Sequence, residues 1–186
     1  MTSNDADVTN LKDYLSTEAS HDLVLTIKNY KTAHGLSKLI HDHEKRKDHW
    51  AIKGPMGKGL GLTADSKNYH IAFAAGTGIL PFIDLVARLA MQELGVLPKD
   101  QHFDKDFKLE LHVSFPSYEE SIGYDLVEAL QAYMKEKGDG QTRFKLIVRY
   151  SSEQFSKRWD KEYLRNHLKA HIGNITKIWV CGPPMM

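Results

Sequence analysis

Apolar residues follow two different spacings, which alternate along the chain from about residue 68. Short apolar runs, typical of buried parallel strands, cover 69–75, 108–115, 143–149 and 177–181. Between these runs the sequence predicts helices near 82–90, 122–137 and 161–171, the first because its apolar residues recur at helical spacing. Strands that alternate with helices in this way predict an α/β fold, with a parallel sheet covered by helices on both faces.

Residues 1–62 have a different pattern. The segments 23–30 and 50–53 have the character of short strands, and 36–43 has room for one or two helical turns. Because two strands and a small helix cannot close a barrel alone, we predict a partial antiparallel β-barrel segment here. The glycine-rich stretch 54–61 then leads into a second domain, 63–186.

Four histidines in the first segment raise the question of a metal site. His34, His41, His43 and His49 surround a charge-rich turn, and His-x-His can chelate a metal. The basic run 45–47 would repel a cation, so we interpret the turn as a solvated loop and predict no metal site.

Composition narrows the class of protein. The 186 residues are 41% hydrophobic and 26% charged, which describes a globular chain rather than a disordered one. A net charge of +1 argues against nucleic acid as a partner. The single cysteine, Cys181, excludes an internal disulfide or a multi-thiolate metal site. With no secretory signal and no membrane segment, we expect an intracellular chain, in the cytoplasm or at the cytoplasmic face of a membrane.

The first motif with chemical meaning is Gly76-Thr77-Gly78, followed by Pro81, between the first strand and the first helix. Glycines let the backbone approach a ligand, and the N–H groups at a helix start suit a pyrophosphate. Pro81 fits the first helical position. Gly78→Val is therefore expected to weaken nucleotide binding while the fold survives. Any α/β protein needs a tight turn here, so this motif alone leaves both interpretations open.

The second motif is Cys181-Gly182-Pro183-Pro184, at the carboxyl end of the fourth strand. In a parallel sheet, ligands bind outside the carboxyl ends of the strands, so this loop and the glycine turn are expected to face one crevice. An inert buried thiol and a rigid chain stop are the alternatives.

These two motifs in this order resemble the nucleotide domain of the ferredoxin–NADP reductase superfamily, which includes cytochrome b5 reductases, ferric reductases and NADPH oxidases. The resemblance implies the strand order of those domains, in a Rossmann-like sheet. It places the pyrophosphate of NADH or NADPH at Gly76, Thr77, Gly78 and Pro81. It places the nicotinamide at Cys181, Gly182 and Pro183, with Cys181 in the catalytic position where hydride passes to a flavin.

The resemblance extends weakly to the flavin domain. Tyr14 and Ser37 are the side chains that it assigns to FAD, while Lys12 and Leu15 replace the arginine and hydroxyl of the usual motif. Most of a flavin barrel would precede residue 1, and relatives continue beyond residue 186. We therefore expect an incomplete FAD site, in a fragment of a longer protein or in a shortened relative.

The expected function is the pyridine-nucleotide portion of a flavin-dependent oxidoreductase, which passes hydride from NAD(P)H to FAD and electrons to an unidentified acceptor. The alternative is a non-catalytic nucleotide-binding or scaffold subunit, favoured by the changed flavin motif. Ser114, at the end of the second strand, offers a hydroxyl to a 2′-phosphate and so slightly favours NADPH over NADH.

Overall fold

The computed structural model of the chain describes residues 27–28, 34–42, 51, 53, 56–137, 143–152 and 159–184. They fall into two compact units, one within Glu18–Gly61 and one that includes the chain from Leu62 onward. The first unit contributes one short helix, α1 (Leu36–His41). The predicted barrel segment lies almost wholly outside the described residues, so it stays a prediction, as do the identities assigned to the two domains.

The second unit is a four-stranded parallel sheet with three helices. The strands are β1 (Asn68–Ala75), β2 (Phe107–Phe115), β3 (Phe144–Tyr150) and β4 (Ile175–Cys181). The helices are α2 (Leu80–Glu93), α3 (Tyr124–Lys137) and α4 (Lys161–Lys169). The strands are arranged in the order β3-β2-β1-β4, and every neighbouring pair is parallel. The predicted Rossmann-like α/β fold is confirmed.

Alternation along the strands divides their side chains between two faces of the sheet. One face carries Ala72, Leu111 and Trp179 and is covered by α2 and α3, which contact each other. Phe82 of α2 reaches the Trp179 ring on this face, with ring centroids 6.1 Å apart. We call the opposite side the α4 face, because the side chains of α4 pack there. Helices therefore cover both faces, as predicted.

The connection from β1 to α2 is short. A turn of 3₁₀ helix, Gly76–Ile79, follows the last residue of β1 directly and continues into α2. Pro81 is the second residue of α2 rather than the first, because the 3₁₀ turn lets the helix begin at Leu80. At the other end, Gly95 follows the helix with a φ of 72°, the left-handed conformation that favours glycine.

Candidate functional site

The glycine turn lies at the carboxyl edge of the sheet and leaves room beside it. Gly76 has a φ of 54°, and a Cβ atom built on it would meet nothing within 4 Å. Thr77 is half-buried and Pro81 is exposed. The turn therefore offers open space next to backbone in which a bound pyrophosphate could lie close to the chain.

Gly78 has a different role from Gly76, because it packs against the second motif. A Cβ atom at position 78 would lie 2.0 Å from the carbonyl oxygen of Cys181 and 3.0 Å from the Gly182 nitrogen. Real Cβ atoms do not approach backbone so closely, so only glycine fits. The two motifs, more than 100 residues apart in sequence, are in contact.

This contact revises the expectation for Gly78→Val. A side chain at position 78 would collide with the Cys181 backbone instead of crossing a ligand path. The substitution is expected to disrupt the junction of the two loops and to destabilise the fold, so loss of nucleotide binding alone would not identify a ligand contact.

The Cys181 loop starts beside the end of β1. Cys181 is the register partner of Ala74, two residues before Gly76. The Cys181 side chain is half-buried, whereas Gly182 and Pro183 are exposed. The loop therefore presents accessible backbone next to the glycine turn.

Ser114 lies at the same edge and has a charged neighbour that sequence reasoning missed. Ser114 is paired with Ala75 of β1 on one side and with Arg149 of β3 on the other. The Arg149 guanidinium lies over the Tyr163 ring, 5.0 Å from its centroid. Its Nη1 atom is buried and has no hydrogen-bond partner among the described residues. A buried donor of this kind calls for an acceptor, and an anionic group would supply one.

Sequence spacing could not reveal Arg149, because its position beside Ser114 depends on the pairing of β2 with β3. The acidic residues that follow β2 are exposed. A hydrogen bond from Ser117 lowers the pKa of Glu119, which keeps that carboxyl ionised. The strand end beside Ser114 thus carries a cation, Arg149, and the exposed carboxylates Glu119 and Glu120 come five and six residues later in sequence.

The two residues assigned to flavin lie outside the described residues of the second unit. Ser37 is a half-buried residue of α1 and belongs to the other unit. Tyr14 lies outside the described residues. Their assignment stays a prediction.

The second unit of the chain is an α/β domain with a parallel sheet, helices on both faces and two loops in contact at the carboxyl edge, where domains of this class bind their ligands. Two curated proteins are similar to this chain, and both are named ferredoxin–NADP reductase. The one from Spirulina sp. is 30% identical over 143 residues, which is 71% of this chain and 44% of the relative. The one from Thermosynechococcus vestitus is 29% identical over 145 residues, 73% of this chain and 34% of the relative.

This similarity supports the ferredoxin–NADP reductase superfamily as the family of the chain. The chain spans less than half the length of either relative. No protein-family model matches the chain. Within the described residues, none of the helices combines the length and the apolar character that crossing a membrane requires.

Proposed function

We infer that the second unit is the pyridine-nucleotide-binding part of a flavin-dependent oxidoreductase of the ferredoxin–NADP reductase superfamily. The observation that carries this proposal is the contact of Gly78 with the Cys181 backbone, because it joins the two motifs at one edge of the sheet. The similarity to two ferredoxin–NADP reductases points in the same direction. The finer grouping with cytochrome b5 reductases or NADPH oxidases belongs to the same proposal.

The residues at the edge fit a dinucleotide. Gly76 leaves space that a Cβ would fill, which suits the pyrophosphate, and the exposed Gly182 and Pro183 border the same turn. NADPH would supply a hydride, and this chain's part is to hold the nicotinamide beside the Cys181 loop in a fixed orientation. Hydride transfer requires no acid–base residue, and we assign none.

The preferred nucleotide is NADPH. Arg149 Nη1 is buried without a hydrogen-bond partner in the described chain, and Arg149 is the register partner of Ser114 on the neighbouring strand. A 2′-phosphate offers the anionic oxygens that such a donor needs, whereas a ribose hydroxyl does not. Ser114 already favours NADPH slightly in the sequence, and Arg149 adds a cationic group that supports the same preference. FAD is proposed as the second cofactor, and the electron acceptor is left unassigned.

Calorimetric titrations of the purified chain, one with NADP⁺ and one with NAD⁺, test the proposal. We expect one site with tighter binding of NADP⁺. The same preparation is examined for bound flavin by its absorbance and for NADPH-driven reduction of ferricyanide. Failure to bind either nucleotide would contradict the assignment of the edge.

A second candidate, a nucleotide-binding subunit without flavin chemistry, is favoured by Lys12 and Leu15 in place of the usual flavin-binding arginine and hydroxyl. It predicts nucleotide binding with no flavin and no ferricyanide reduction. Fusing the flavin-binding domain of a ferredoxin–NADP reductase to the chain separates the two. Activity that appears only then supports the first candidate, and continued inactivity supports the second.

A further inference from the structure

A buried carboxylate on the α4 face of the sheet has two histidine nitrogens beside one of its oxygens. Glu110 and His112 are fully buried. The distance from Glu110 Oε1 to His112 Nε2 is 2.6 Å, and that to His167 Nε2 is 3.0 Å. Glu110 and His112 are two apart on β2 and so project from the same face, while His167 comes from α4 above them.

The second oxygen of the carboxylate is held separately. Glu110 Oε2 accepts hydrogen bonds from the Tyr69 hydroxyl, at 2.8 Å, and from Lys145 Nζ, at 3.0 Å. Burial alone would raise the pKa of Glu110, but the hydrogen bonds from His112, Tyr69 and Lys145 outweigh it and hold that pKa below its usual range. The carboxyl is therefore ionised, and Oε1 remains directed at the two histidines.

The buried histidine is supported on its other side as well. His112 Nδ1 lies 3.0 Å from the Tyr163 hydroxyl, so each of its ring nitrogens has a polar neighbour. Histidines that bind metals nearly always have such a partner on the non-ligating nitrogen, which fixes the orientation of the ring. The carboxylate and the buried imidazole are both positioned by neighbouring side chains.

We propose that Glu110, His112 and His167 bind a divalent transition metal ion of the zinc class, through Glu110 Oε1 and the two Nε2 atoms. The ligand atoms of the three residues all lie within 4.8 Å of one another. Bonds of about 2.0–2.2 Å in a tetrahedral zinc site place ligand atoms roughly 3.3–3.5 Å apart. An ion at this position requires the present contacts of Glu110 Oε1, at 2.6 Å and 3.0 Å, to lengthen to these separations.

His171 lies beside the other oxygen of the carboxylate. Its Nε2 atom lies 3.9 Å from Glu110 Oε2, and this side chain is partly exposed. It stacks on Tyr69, with ring centroids 4.1 Å apart. Because Oε2 is not the oxygen assigned to the metal, a water molecule completes the coordination. Two imidazoles with one carboxylate and a water match the ligand preference of Zn²⁺.

The position in the fold sets this site apart from the candidate nucleotide site. Glu110 is the register partner of Ile71 and Lys145, four residues before Ser114 at the carboxyl edge. An ion here would join β2 to α4. The sequence-based prediction of no metal site concerned the amino-terminal histidines and their basic neighbours. Glu110 and His112 were not considered, because His167 comes more than 50 residues later and only the packing of α4 on β2 brings it to them.

The test is Zn²⁺ and Co²⁺ binding to the whole chain, wild type and variants, by calorimetry and visible absorption. We expect one Zn²⁺ per chain at the cluster, and Co²⁺ spectra with the d–d bands of a four-coordinate N/O site. His167→Gln is expected to weaken Zn²⁺ binding at least about tenfold and to remove these bands. The control is His102→Gln, because the His102 side chain is half-buried, lies 2.8 Å from the Leu97 carbonyl oxygen and is outside the cluster. It should bind as the wild type does.

Thermal unfolding with and without Zn²⁺ separates a metal site from a hydrogen-bond network. An ion that binds only the folded state raises the Tm of the wild type and of His102→Gln by the same amount, and that of His167→Gln by less at the same Zn²⁺ concentration. The histidines near the amino terminus are the same in all variants, so they contribute a constant background. Equal Zn²⁺ affinity in His167→Gln and wild type, or no Zn²⁺ binding at all, would overturn the proposal.

Discussion

Gly76 and Gly95 form a natural pair for separating backbone strain from ligand contact. Their φ angles are 54° and 72°, and neither has an atom within 4 Å of the position of a Cβ. Alanine in a left-handed conformation costs about 1–2 kcal/mol. Both Gly76→Ala and Gly95→Ala are expected to lower the free energy of unfolding by this amount.

Only Gly76→Ala is expected to affect the nucleotide, because its methyl group would occupy the space that we assign to the pyrophosphate. We predict a loss of NADP⁺ affinity of at least about tenfold, which corresponds to about 1.4 kcal/mol. Calorimetry measures the affinity, and urea unfolding measures the stability. If the two variants bind NADP⁺ equally well, Gly76 does not contact the ligand.

His70 supplies a pH dependence that can be assigned to one residue. It is buried between the rings of Phe107 and Trp179, with centroids 4.6 Å and 5.5 Å away. Burial lowers the pKa of His70, and the hydrogen bond to the Asn68 carbonyl offsets this only in part. The unfolded chain therefore takes up the proton first as the pH falls.

The stability that neutral His70 contributes is present above the unfolded pKa of about 6.5 and is lost as the pH falls from there towards the folded pKa. His70→Phe keeps a ring between Phe107 and Trp179 but has no titrating group. Between about pH 7 and pH 5 its free energy of unfolding should fall less steeply than that of the wild type. The two slopes should differ by at most about 1.4 kcal/mol per pH unit. Parallel curves from urea unfolding would show that other groups cause the acid sensitivity.

At the scale of secondary structure, apolar spacing predicts all four strands of the sheet and its three helices. The strand runs are nearly continuous in apolar residues because helices cover both faces of the sheet. Spacing along the chain does not specify which strands are neighbours. It therefore misses every feature that depends on pairing, including Arg149 beside Ser114 and Gly78 against Cys181.

For the candidate site, too, the sequence predicted the local motifs but not the contacts between them. The two motifs could be found because each directly follows a strand, and their convergence follows from the rule for parallel sheets. The different surroundings of Gly76 and Gly78 could not be predicted, because they depend on which glycine faces the Cys181 backbone. The grouping of Glu110 with His167 depends on how α4 packs, which no local pattern records.

The pairing of strand ends also yields a prediction about specificity. If Arg149, at the end of β3, meets the 2′-phosphate, Arg149→Gln should weaken NADP⁺ binding about tenfold and change NAD⁺ binding little, because one charged hydrogen bond is lost. Arg165→Gln removes the same charge from an exposed position on α4 and serves as the control. Equal losses for both nucleotides would place Arg149 in a structural role, and a loss in the control would point to general electrostatics.

At the scale of the whole chain, the proposed nucleotide-binding edge rests on contacts within the structure, and the proposed family rests on the similarity to ferredoxin–NADP reductases. The similarity covers 71% and 73% of the chain, far more than the two short motifs. The described contacts join those motifs to each other and bring Ser114 beside β1. The Glu110 cluster lies on the α4 face, which the Arg149 side chain also approaches over the Tyr163 ring, so ligand effects at the glycine turn are the ones that can be observed separately from the cluster.

Hydrogen exchange across the chain shows whether the nucleotide binds at this edge. NADP⁺ at a hundred times its Kd should stabilise the folded state by about 2.7 kcal/mol, because it binds only that state. For a chain of this size the Tm should rise by roughly 5–10 °C. Beyond this global effect, the amides of Gly76, Thr77 and Gly182 should gain additional protection, since they border the proposed pyrophosphate and nicotinamide positions.

The amino-terminal residues of β2 and β3 provide the internal reference, because they lie at the opposite end of the strands. Their exchange should slow only as far as the global stabilisation requires. Protection concentrated on α4 and the Glu110 side of the sheet would mean that the nucleotide binds the α4 face. That result would remove the glycine turn and the Cys181 loop from the binding site, while leaving their contact through Gly78 as a feature of the fold.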